Sequence, residues 1–341
     1  MDTETLSCLC RLAPDLMEDM RQRAAVMERI SALQPVGRRA LSQRLKLPER
    51  EIRTICDRLK DDGLLAVAAS GMTLSEKGAA ALPGARELVH SLSGLAALEH
   101  TLTRSLNVGR VCVVPGNADE TPEVLFEAGR VAARHLTALL RDGMTLTVSG
   151  GTSVAAVAQA MPHGAHRFDV HVLPARGGLG MAVETQAGTL AAEIAHALGG
   201  RHSLLHVPDS LSHDALRALL ALPEIRETID ALHHTDVLLY GIGRAEVMAA
   251  NRSLPEAELK GILSRGAVGE AVGNYFGADG RLVFQASEVG LSGEELRQVP
   301  HVVAIAAGAA KAKAVIAVMR HHHHELLVID EGAARAIMAL M

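Results

Sequence analysis

Glycine and hydroxyl residues follow an apolar run near the middle of the chain. The run Thr145–Val148 leads into Ser-Gly-Gly-Thr-Ser at 149–153, and apolar spacing then predicts a helix through Ala160. Glycine lets the backbone approach a ligand closely, and the free N–H groups at a helix N-terminus attract anions. With the hydroxyl groups of Thr152 and Ser153, these N–H groups could bind a phosphate. The alternative is a turn that is only tightly packed.

Two further glycine-rich loops follow apolar runs. Residues 174–180, Pro-Ala-Arg-Gly-Gly-Leu-Gly, include Arg176, whose guanidinium can hold a phosphate through two hydrogen bonds. Residues 306–311 place Lys311 near the first turn of another predicted helix. Ligands bind where the strands of an open α/β sheet end, so three such loops predict more than one phosphate at one sheet edge. Each loop alone could equally be a packed turn.

Short apolar runs alternate with helical patterns from residue 110 onward, which predicts a largely parallel sheet covered on both faces. The runs are residues 111–114, 145–148, 170–173, 203–207, 237–240, 302–306 and 326–329. The string Gly-Ile-Gly-Arg-Ala-Glu at 241–246 resembles a dinucleotide fingerprint, but Glu246 stands where that motif needs a small residue. We therefore expect no NAD site and no other cofactor.

Metal and redox sites lack their usual spacing in this sequence. The four histidines at 321–324 have no carboxylate or cysteine partner at a useful distance along the chain, so a solvated turn is expected there. None of the four cysteines forms a Cys-x-x-Cys pair. We expect no specific metal site and predict reduced, mostly buried thiols.

Composition narrows the class of protein. The 341 residues are 48% hydrophobic and 21% charged, which fits a globular chain of two units and excludes a disordered one. Only 2% are aromatic, so base stacking on aromatic side chains is not expected. No run is long enough to span a bilayer, and the N-terminus has no signal-sequence pattern, so a cytoplasmic protein without a membrane partner is expected.

Charge is unevenly distributed. Residues 21–60 hold eleven lysines and arginines against four acidic residues, a charge of +7, whereas the remainder of the chain carries −12. A basic patch on an acidic body indicates local contact with a polyanion. Helical spacing in 14–33, 39–46 and from 48 onward predicts three helices, and 64–68 with 72–74 predicts a hairpin. This order is that of a winged helix-turn-helix, a DNA-reading fold.

The third helix would enter the major groove. Arg50 and Arg53 on its outer face could reach guanine, while Arg38, Arg39 and the wing would hold phosphates. The alternative is a three-helix bundle with a solvated charged face. The predicted DNA-facing residues are Arg38, Arg39, Ser42, Glu49, Arg50, Arg53, Thr54 and Arg58.

A stripe of leucines lies between the basic segment and the predicted sheet. Leu88, Leu92, Leu95, Leu98, Leu102 and Leu106 recur close to a heptad spacing in residues 86–106. A pairing helix that forms homo-oligomers is one interpretation. An ordinary helix packed on its own domain is the other, because the stripe covers only about three heptads.

Five strings along the chain match a known family. They are Gly37–Ser42 (Gly-Arg-Arg-Ala-Leu-Ser), residues 71–78, 150–152 and 174–180, and Asp-Glu-Gly-Ala-Ala at 330–334. With them the sequence resembles the SorC family of transcriptional repressors from about residue 14 to 336. The resemblance implies a winged helix-turn-helix domain at 1–85, a linking or oligomerisation helix at 86–106, and a Rossmann-like, sugar-phosphate-isomerase-like effector domain at 107–341.

The resemblance also implies a function. Dimers or tetramers would bind an operator upstream of glycolytic genes, and fructose-1,6-bisphosphate would be the inducer. One phosphate would lie on Gly150, Gly151, Thr152 and Ser153. The remaining sugar and phosphate contacts would come from Arg176, Gly177, Gln186, Arg252, Glu270 and Lys311. Asn251 stands where the resembling sequences are basic, and this departs from the family's second phosphate clamp.

An enzyme is the rival class. Sugar-phosphate isomerases use a similar sheet and place carboxylates near the substrate as general bases, a role that Glu270 or Asp330 could fill. A DNA-reading unit has no use in such an enzyme. We therefore expect a repressor without catalytic residues.

Overall fold

The computed structural model describes residues 12–45, 47–92, 94–162, 167–177, 182–205, 207, 213–251, 256–286 and 289–341. The chain divides between Ala96 and Ala97 into two compact units. None of the described helices is long and apolar enough to cross a membrane.

The first unit is the predicted winged helix-turn-helix. Its elements are α1 (Pro14–Leu33), α2 (Arg38–Leu45), α3 (Glu49–Asp61), β1 (Leu65–Ala68), β2 (Gly71–Leu74) and α4 (Glu76–Leu92). Apolar side chains spaced at three and four residues on the helices meet those of the hairpin in one core, which includes Ile30, Leu41, Ile52, Leu59 and Met72. The helical bounds agree with the apolar spacing to within one residue.

The hairpin β1–β2 is attached to the connection between α1 and α2. Its strands pair antiparallel from Leu65 with Leu74 to Ala68 with Gly71. Val36 and Met72 exchange two backbone hydrogen bonds of 3.1 and 2.9 Å. A Cβ on Gly71, whose φ is +133°, would lie 2.9 Å from the nitrogen of Val36. Glycine is therefore required where the wing meets the helices.

The single leucine-striped helix predicted for 86–106 is wrong. α4 ends at Leu92, and α5 (Leu95–Ser105) begins after Gly94, whose φ of +71° is left-handed. Glycine adopts this conformation without strain and commonly ends a helix. The predicted seam is interrupted there. Leu95 and Leu102 are fully buried within the chain.

The second unit is an α/β fold, as predicted. In chain order it contains β3 (Arg110–Val114), α6 (Glu123–Leu139), β4 (Thr145–Val148), α7 (Thr152–Ala160), β5 (His171–Pro174), α8 (Ala187–Leu198), β6 (Arg201–His202), α9 (His213–Leu220), α10 (Pro223–His233), β7 (Val237–Gly241), β8 (Gly243–Arg244), α11 (Ala245–Asn251), α12 (Glu256–Ser264), β9 (Ala267–Ala271), β10 (Asn274–Gly277), β11 (Leu282–Gln285), β12 (His301–Ala306), α13 (Ala312–Met319), β13 (Leu326–Asp330) and α14 (Glu331–Leu340). Short 3-10 turns occur at Val183–Thr185, Glu295–Arg297 and Ala309–Lys311.

Seven parallel strands form the main sheet, in the order β3-β13-β12-β7-β4-β5-β6. The chain proceeds from β4 outward to β5 and β6, returns to β7 on the other side of β4, and then proceeds to β12 and β13. The strand order therefore reverses between β4 and β7. In open parallel sheets a crevice forms outside the carboxyl ends of the strands at this point, and ligands bind there.

Two parts of this unit differ from the sequence prediction. An antiparallel sheet, β11-β10-β9-β8, was not predicted, because its strands are short and contain glycine and polar residues in place of an apolar run. The strand predicted for 203–207 is also wrong. β6 pairs with β5 only through Arg201 and His202, so the strand ends at the sheet edge before residue 203.

Candidate functional site

The outer face of α3 carries the residues predicted to read DNA. Ile52, Ile55 and Leu59 are buried in the core of the first unit. Glu49, Arg50, Arg53 and Thr54 are exposed on the opposite side. Within the described part of the chain, Arg50 and Arg53 have no ion-pair partner, so both guanidinium groups are available to bases or phosphates.

Three predicted DNA contacts are already engaged inside this unit. The Nη2 of Arg38 lies 2.8 Å from Oδ1 of Asp57, and the Nη1 of Arg58 lies 3.1 Å from Oδ1 of Asp19. The hydroxyl of Ser42 donates to the carbonyl of Leu47 at 2.6 Å and closes the turn before α3. Arg39, in contrast, is exposed and has no ion-pair partner among the described residues.

The wing carries no cationic side chain for the phosphate contacts predicted for it. Residues 64–75 contain no lysine or arginine. The outward residues of β1 are Ala66, Val67 and Ala68, which are exposed and apolar. Phosphate contacts from this hairpin would use backbone N–H groups and the hydroxyl groups of Ser70 and Thr73.

The loop after β4 lies at the reversal point of the main sheet. The N–H of Ser149 donates to the carbonyl of Leu239 on β7 at 2.9 Å. The N–H of Gly241 donates to the Ser149 hydroxyl at 3.2 Å. These bonds hold the ends of β4 and β7 together, so the loop that follows each strand opens into the same crevice.

The helix that begins in this loop has an open N-terminus. Gly151 is the N-cap of α7, with a φ of +108° and no side-chain cap. In the described part of the molecule, the N–H groups of Thr152 and Ser153 have no acceptor, whereas Gly151 donates to Thr185 at 2.8 Å. Thr152 is exposed and Ser153 is buried. Free N–H groups and the helix dipole together favour an anion here.

A second helix N-terminus lies against the same loop. A Cβ on Gly150 would lie 2.7 Å from the carbonyl of Thr185 and 3.2 Å from the nitrogen of Ala187. Gln186, between these residues, is the N-cap of α8, and its side chain does not cap the helix. The structure thus brings together Gly150 and Gln186, which are both predicted site residues. The positive ends of two helix dipoles adjoin one loop, which strengthens the attraction for an anion.

The loop after β5 is described in part. Arg176 is half-buried and forms a backbone bridge with Gly290. A Cβ on Gly177 would lie 2.1 Å from the carbonyl of Val207, so glycine is required by backbone packing. Residues 178–180 of the motif lie outside the described residues, as does Arg252.

The loop after β12 is not a backbone phosphate cradle, contrary to the sequence prediction. The N–H of Gly308 donates to Asp330 Oδ2 at 2.8 Å, and that of Ala310 donates to Asp119 Oδ2 at 2.9 Å. The N–H of Ala309 points to Asn117 Oδ1 at 3.4 Å. Side-chain oxygens of the protein occupy these donors, and two of the three side chains are carboxylates that would repel a phosphate.

The side chain of Lys311 remains available at this edge. Burial lowers the pKa of Lys311, and the carboxylates of Asp330 and Asp119 oppose that shift. The guanidinium of Arg244 adds to the lowering of this pKa, and its Nε lies 3.5 Å from Oε1 of Glu246. Arg244 was not among the predicted site residues. Its place directly after β7 and Gly243 was the available signal, because loops after strands at the reversal point line the crevice.

Glu270 lies on the antiparallel sheet, next to the strand that carries Arg244. It pairs across β9 and β8 with Gly243, and its Oε1 accepts from the N–H of Gly273 at 2.6 Å. Asp330 is fully buried, and it accepts from the N–H groups of Ala118, Gly308 and Ala333 at 2.6 to 2.9 Å. Carboxylates engaged in this way hold the backbone. The structure therefore gives no support to Asp330 as a general base.

The histidine run at 321–324 is largely buried, so the expected solvated turn is wrong. His321, His322 and His324 are buried, and only His323 is exposed. The Nε2 atoms of His322 and His324 contact the hydroxyl of Tyr240. Burial lowers the pKa of His322 to about 3 and that of His324 well below its usual value. The described residues contain no cluster of three or more side chains arranged to hold a metal ion.

Two family models match the sequence of this chain. Residues 20–89 match the model described as "CggR N-terminal DNA binding domain", and residues 90–339 match the one described as "Putative sugar-binding domain". The chain is 37% identical to the central glycolytic genes regulator of Priestia megaterium over 95% of both chains. It is 35% identical to the regulator of that name from Bacillus subtilis over 96% of both.

A solved structure titled as a "putative SorC family transcriptional regulator" from Enterococcus faecalis is 36% identical. The structural match covers 71% of this chain and 99% of the Enterococcus chain, with a TM-score of 0.67. The two units therefore define a class: a DNA-binding transcriptional regulator with a sugar-binding unit. The chain belongs to the SorC family of transcriptional regulators. It is a regulator that responds to a sugar, and the isomerase alternative is not supported.

Proposed function

We propose that this protein represses glycolytic genes and that a phosphorylated sugar, fructose-1,6-bisphosphate, releases it from its operator. The observation that carries the proposal is the uncapped N-terminus of α7 at the point where the strand order of the main sheet reverses. A neutral sugar would leave the N–H groups of this helix without the charge that they attract.

Cations on the other side of the crevice support a second anionic group on the ligand. Lys311 follows β12 and Arg244 follows β7, on the opposite side of the reversal point from the loop after β5, which carries Arg176. The α7 N-terminus with Gly150, Gly151, Thr152 and Ser153 would hold one phosphate. Lys311 and Arg244 would hold the other, with Gln186, Glu270 and Gly177 around the sugar.

The relatives support the glycolytic assignment. The two regulators whose names state central glycolytic genes match this chain along almost its whole length. The DNA-binding model and the sugar-binding model each match here as well, so both parts of a sugar-controlled repressor are present. A cytoplasmic location fits DNA as the partner.

A symmetric assembly fits a helix-turn-helix reader. Two recognition helices related by a two-fold axis engage two half-sites about one helical turn apart, so we propose a homodimer or tetramer on a palindromic operator. The effector would act by binding more tightly to the arrangement that cannot span both half-sites. Its differential affinity for the two arrangements sets the limit of the shift.

Fluorescence anisotropy tests this proposal. The full chain is bound to a labelled duplex from the promoter region of the neighbouring glycolytic genes, and fructose-1,6-bisphosphate is titrated at fixed salt, because DNA affinity depends steeply on salt. We expect weaker binding to this duplex with rising effector and no effect on a scrambled duplex. Specific binding that the bisphosphate leaves unchanged would exclude it as the effector and keep the DNA role.

A variant pair sharpens this test. Arg176→Ala should remain on the operator at effector concentrations that release the unaltered protein. Arg201→Ala is the matched control, because Arg201 is exposed at the start of β6, where the strand pairs with the first residue of β5, away from the crevice. Equal release of both variants at the unaltered concentration would contradict the place of Arg176 in the effector site.

A further inference from the structure

Two adjacent arginines at the start of α2 differ in their surroundings. Arg38 is held at 2.8 Å by the carboxylate of Asp57 on α3. Arg39 is exposed, and no ion pair involves it in the part of the chain that the structure describes. The two residues have the same chemistry and neighbouring positions, but Arg38 is half-buried and paired with a carboxylate.

Asp57 lies on the face of α3 that carries the predicted reading residues. Arg50, Arg53 and Asp57 recur at three and four residue spacing and are all exposed, so they form one stripe along the helix. A carboxylate on such a stripe is repelled by the phosphates of DNA. Arg38 neutralises it, and the same contact directs the Arg38 guanidinium toward α3.

Arg58 is restrained in a similar way from α1. Asp19 accepts Arg58 at 3.1 Å and Arg23 at 2.8 Å, and Arg23 also lies 3.1 Å from Asp62 at the end of α3. An isolated surface ion pair is weak, but linked pairs share the entropic cost of ordering their side chains. This network joins α1 to α3 and occupies the Arg58 guanidinium.

We propose that Asp57 and Asp19 withhold Arg38 and Arg58 from the DNA backbone, so that Arg39, Arg50 and Arg53 supply the cationic contacts. Phosphate contacts carry no sequence information and strengthen binding to every duplex alike. By removing two cations from that set, the carboxylates lower the affinity for non-specific DNA. Asp57 and Asp19 are positioning residues that raise the contrast between operator and other DNA.

A salt titration counts the phosphate contacts. The logarithm of the affinity for duplex DNA falls with the logarithm of the salt concentration by about 0.9 for each phosphate that the protein neutralises. The probe is a fluorescein-labelled 30-base-pair duplex of random sequence, bound by the full chain at several KCl concentrations. Arg39→Gln should reduce this slope by about 0.9, whereas Arg38→Gln should leave it unchanged. Equal losses in both variants would overturn the proposal.

The second part of the experiment frees Arg38 from its carboxylate partner. Asp57→Asn should steepen the slope by about 0.9 and so change the ratio of affinities at 50 and 200 mM salt by about three- to fourfold. Glu51→Gln is the matched control, since it removes one exposed negative charge from the same helix, and Glu51 has no ion pair among the described residues. If both variants change the slope equally, the carboxylate of Asp57 does not restrain Arg38.

A third variant tests Asp19, and thermal unfolding serves as the control for loss of structure. Asp19→Asn should steepen the slope as Asp57→Asn does, because it frees Arg58 while Arg23 keeps Asp62. Thermal unfolding of each variant shows whether the first unit remains folded. A folded Asp19→Asn protein with an unchanged slope would remove Asp19 from the proposal.

Discussion

The loops after β4 and β12 have the same pattern in sequence and opposite chemistry in the structure. Each follows a buried strand, contains a glycine with positive φ and leads into a helix. After β4, the N–H groups of Thr152 and Ser153 have no acceptor among the described residues. After β12, the N–H groups of Gly308 and Ala310 are bonded to carboxylates. A strand-glycine-helix pattern therefore shows that a polar group can approach the backbone. It does not show whether that group belongs to a ligand or to the protein itself.

The groups that fill the β12 loop come from distant parts of the chain. Asp330 stands 22 positions after Gly308, and Asp119 stands 191 positions before Ala310. The sheet order places β13 beside β12 and β3 on the far side of β13, which brings the loop with Asp119 and the end of β13 to the same edge as the β12 loop. Among the described residues, no carboxylate accepts a hydrogen bond from the β4 loop, which adjoins the N-terminus of α8.

Removal of Asp330 should produce the largest effect. Asp330→Ala leaves two buried and one part-buried backbone N–H group without their acceptor, and each buried unsatisfied donor costs about 1–3 kcal/mol, so unfolding should become easier by about 3 kcal/mol or more. Urea unfolding followed by circular dichroism measures the change. Asp330→Asn, which retains one oxygen acceptor, should lose less. A loss below about 1 kcal/mol for the alanine variant would contradict this role.

Replacement of the positive-φ glycine by alanine in each loop should give a further difference in stability between the two loops. A Cβ on Gly308 would lie 2.4 Å from Asp119 Oδ1 in addition to the strain of a φ of +105°, so Gly308→Ala should cost about 2–3 kcal/mol. Gly151→Ala has a similar φ of +108° but meets nothing within 4 Å, so it should cost only about 1–2 kcal/mol. Equal losses in urea unfolding would show that the carboxylate does not crowd the β12 loop.

Most of the architecture was readable from apolar periodicity. The spacing of Leu16, Met20, Ala24, Met27 and Ile30 predicted α1, and six of the seven main strands lie within one residue of their predicted bounds, because each is a buried run between turns. Periodicity failed where burial does not follow an apolar pattern. The strands β9 and β10 contain Glu270 and Asn274, both buried and hydrogen-bonded, and the histidines at 321, 322 and 324 are buried against Tyr240 and Phe276.

The candidate site was predictable in part for a related reason. The glycines and hydroxyls after β4 are local to one loop, so their pattern is visible in sequence. Occupation of the β12 loop depends on Asn117, Asp119 and Asp330, which only the sheet order brings together. Arg38 and Arg39 likewise look equivalent until Asp57 of the next helix is placed beside one of them.

Lys311 is the one group of the β12 loop that should act on the ligand. Its ammonium has no ion-pair partner within the described residues, so Lys311→Gln should leave urea unfolding nearly unchanged. Loss of a charge-assisted contact to a phosphate should weaken fructose-1,6-bisphosphate about tenfold, or about 1.4 kcal/mol, by isothermal titration calorimetry. Lys313→Gln, two positions along and exposed, is the control and should bind as the unaltered protein does. Equal affinities in both variants would place the second phosphate elsewhere.

The pH dependence of effector binding should give the smallest effect and the sharpest assignment. Because burial lowers the pKa of Lys311, its ammonium loses its proton at a lower pH than an exposed lysine does. The cation is present on the acid side of that pKa and absent above it, so affinity for the bisphosphate should fall as the pH rises into the alkaline range, by a few-fold at most. Lys311→Arg retains its charge throughout this range and should remove the decline. A decline that persists in Lys311→Arg would assign the titration to another group. Its disappearance would identify Lys311 as the cation that faces the ligand, in a loop whose N–H groups are bonded to carboxylates.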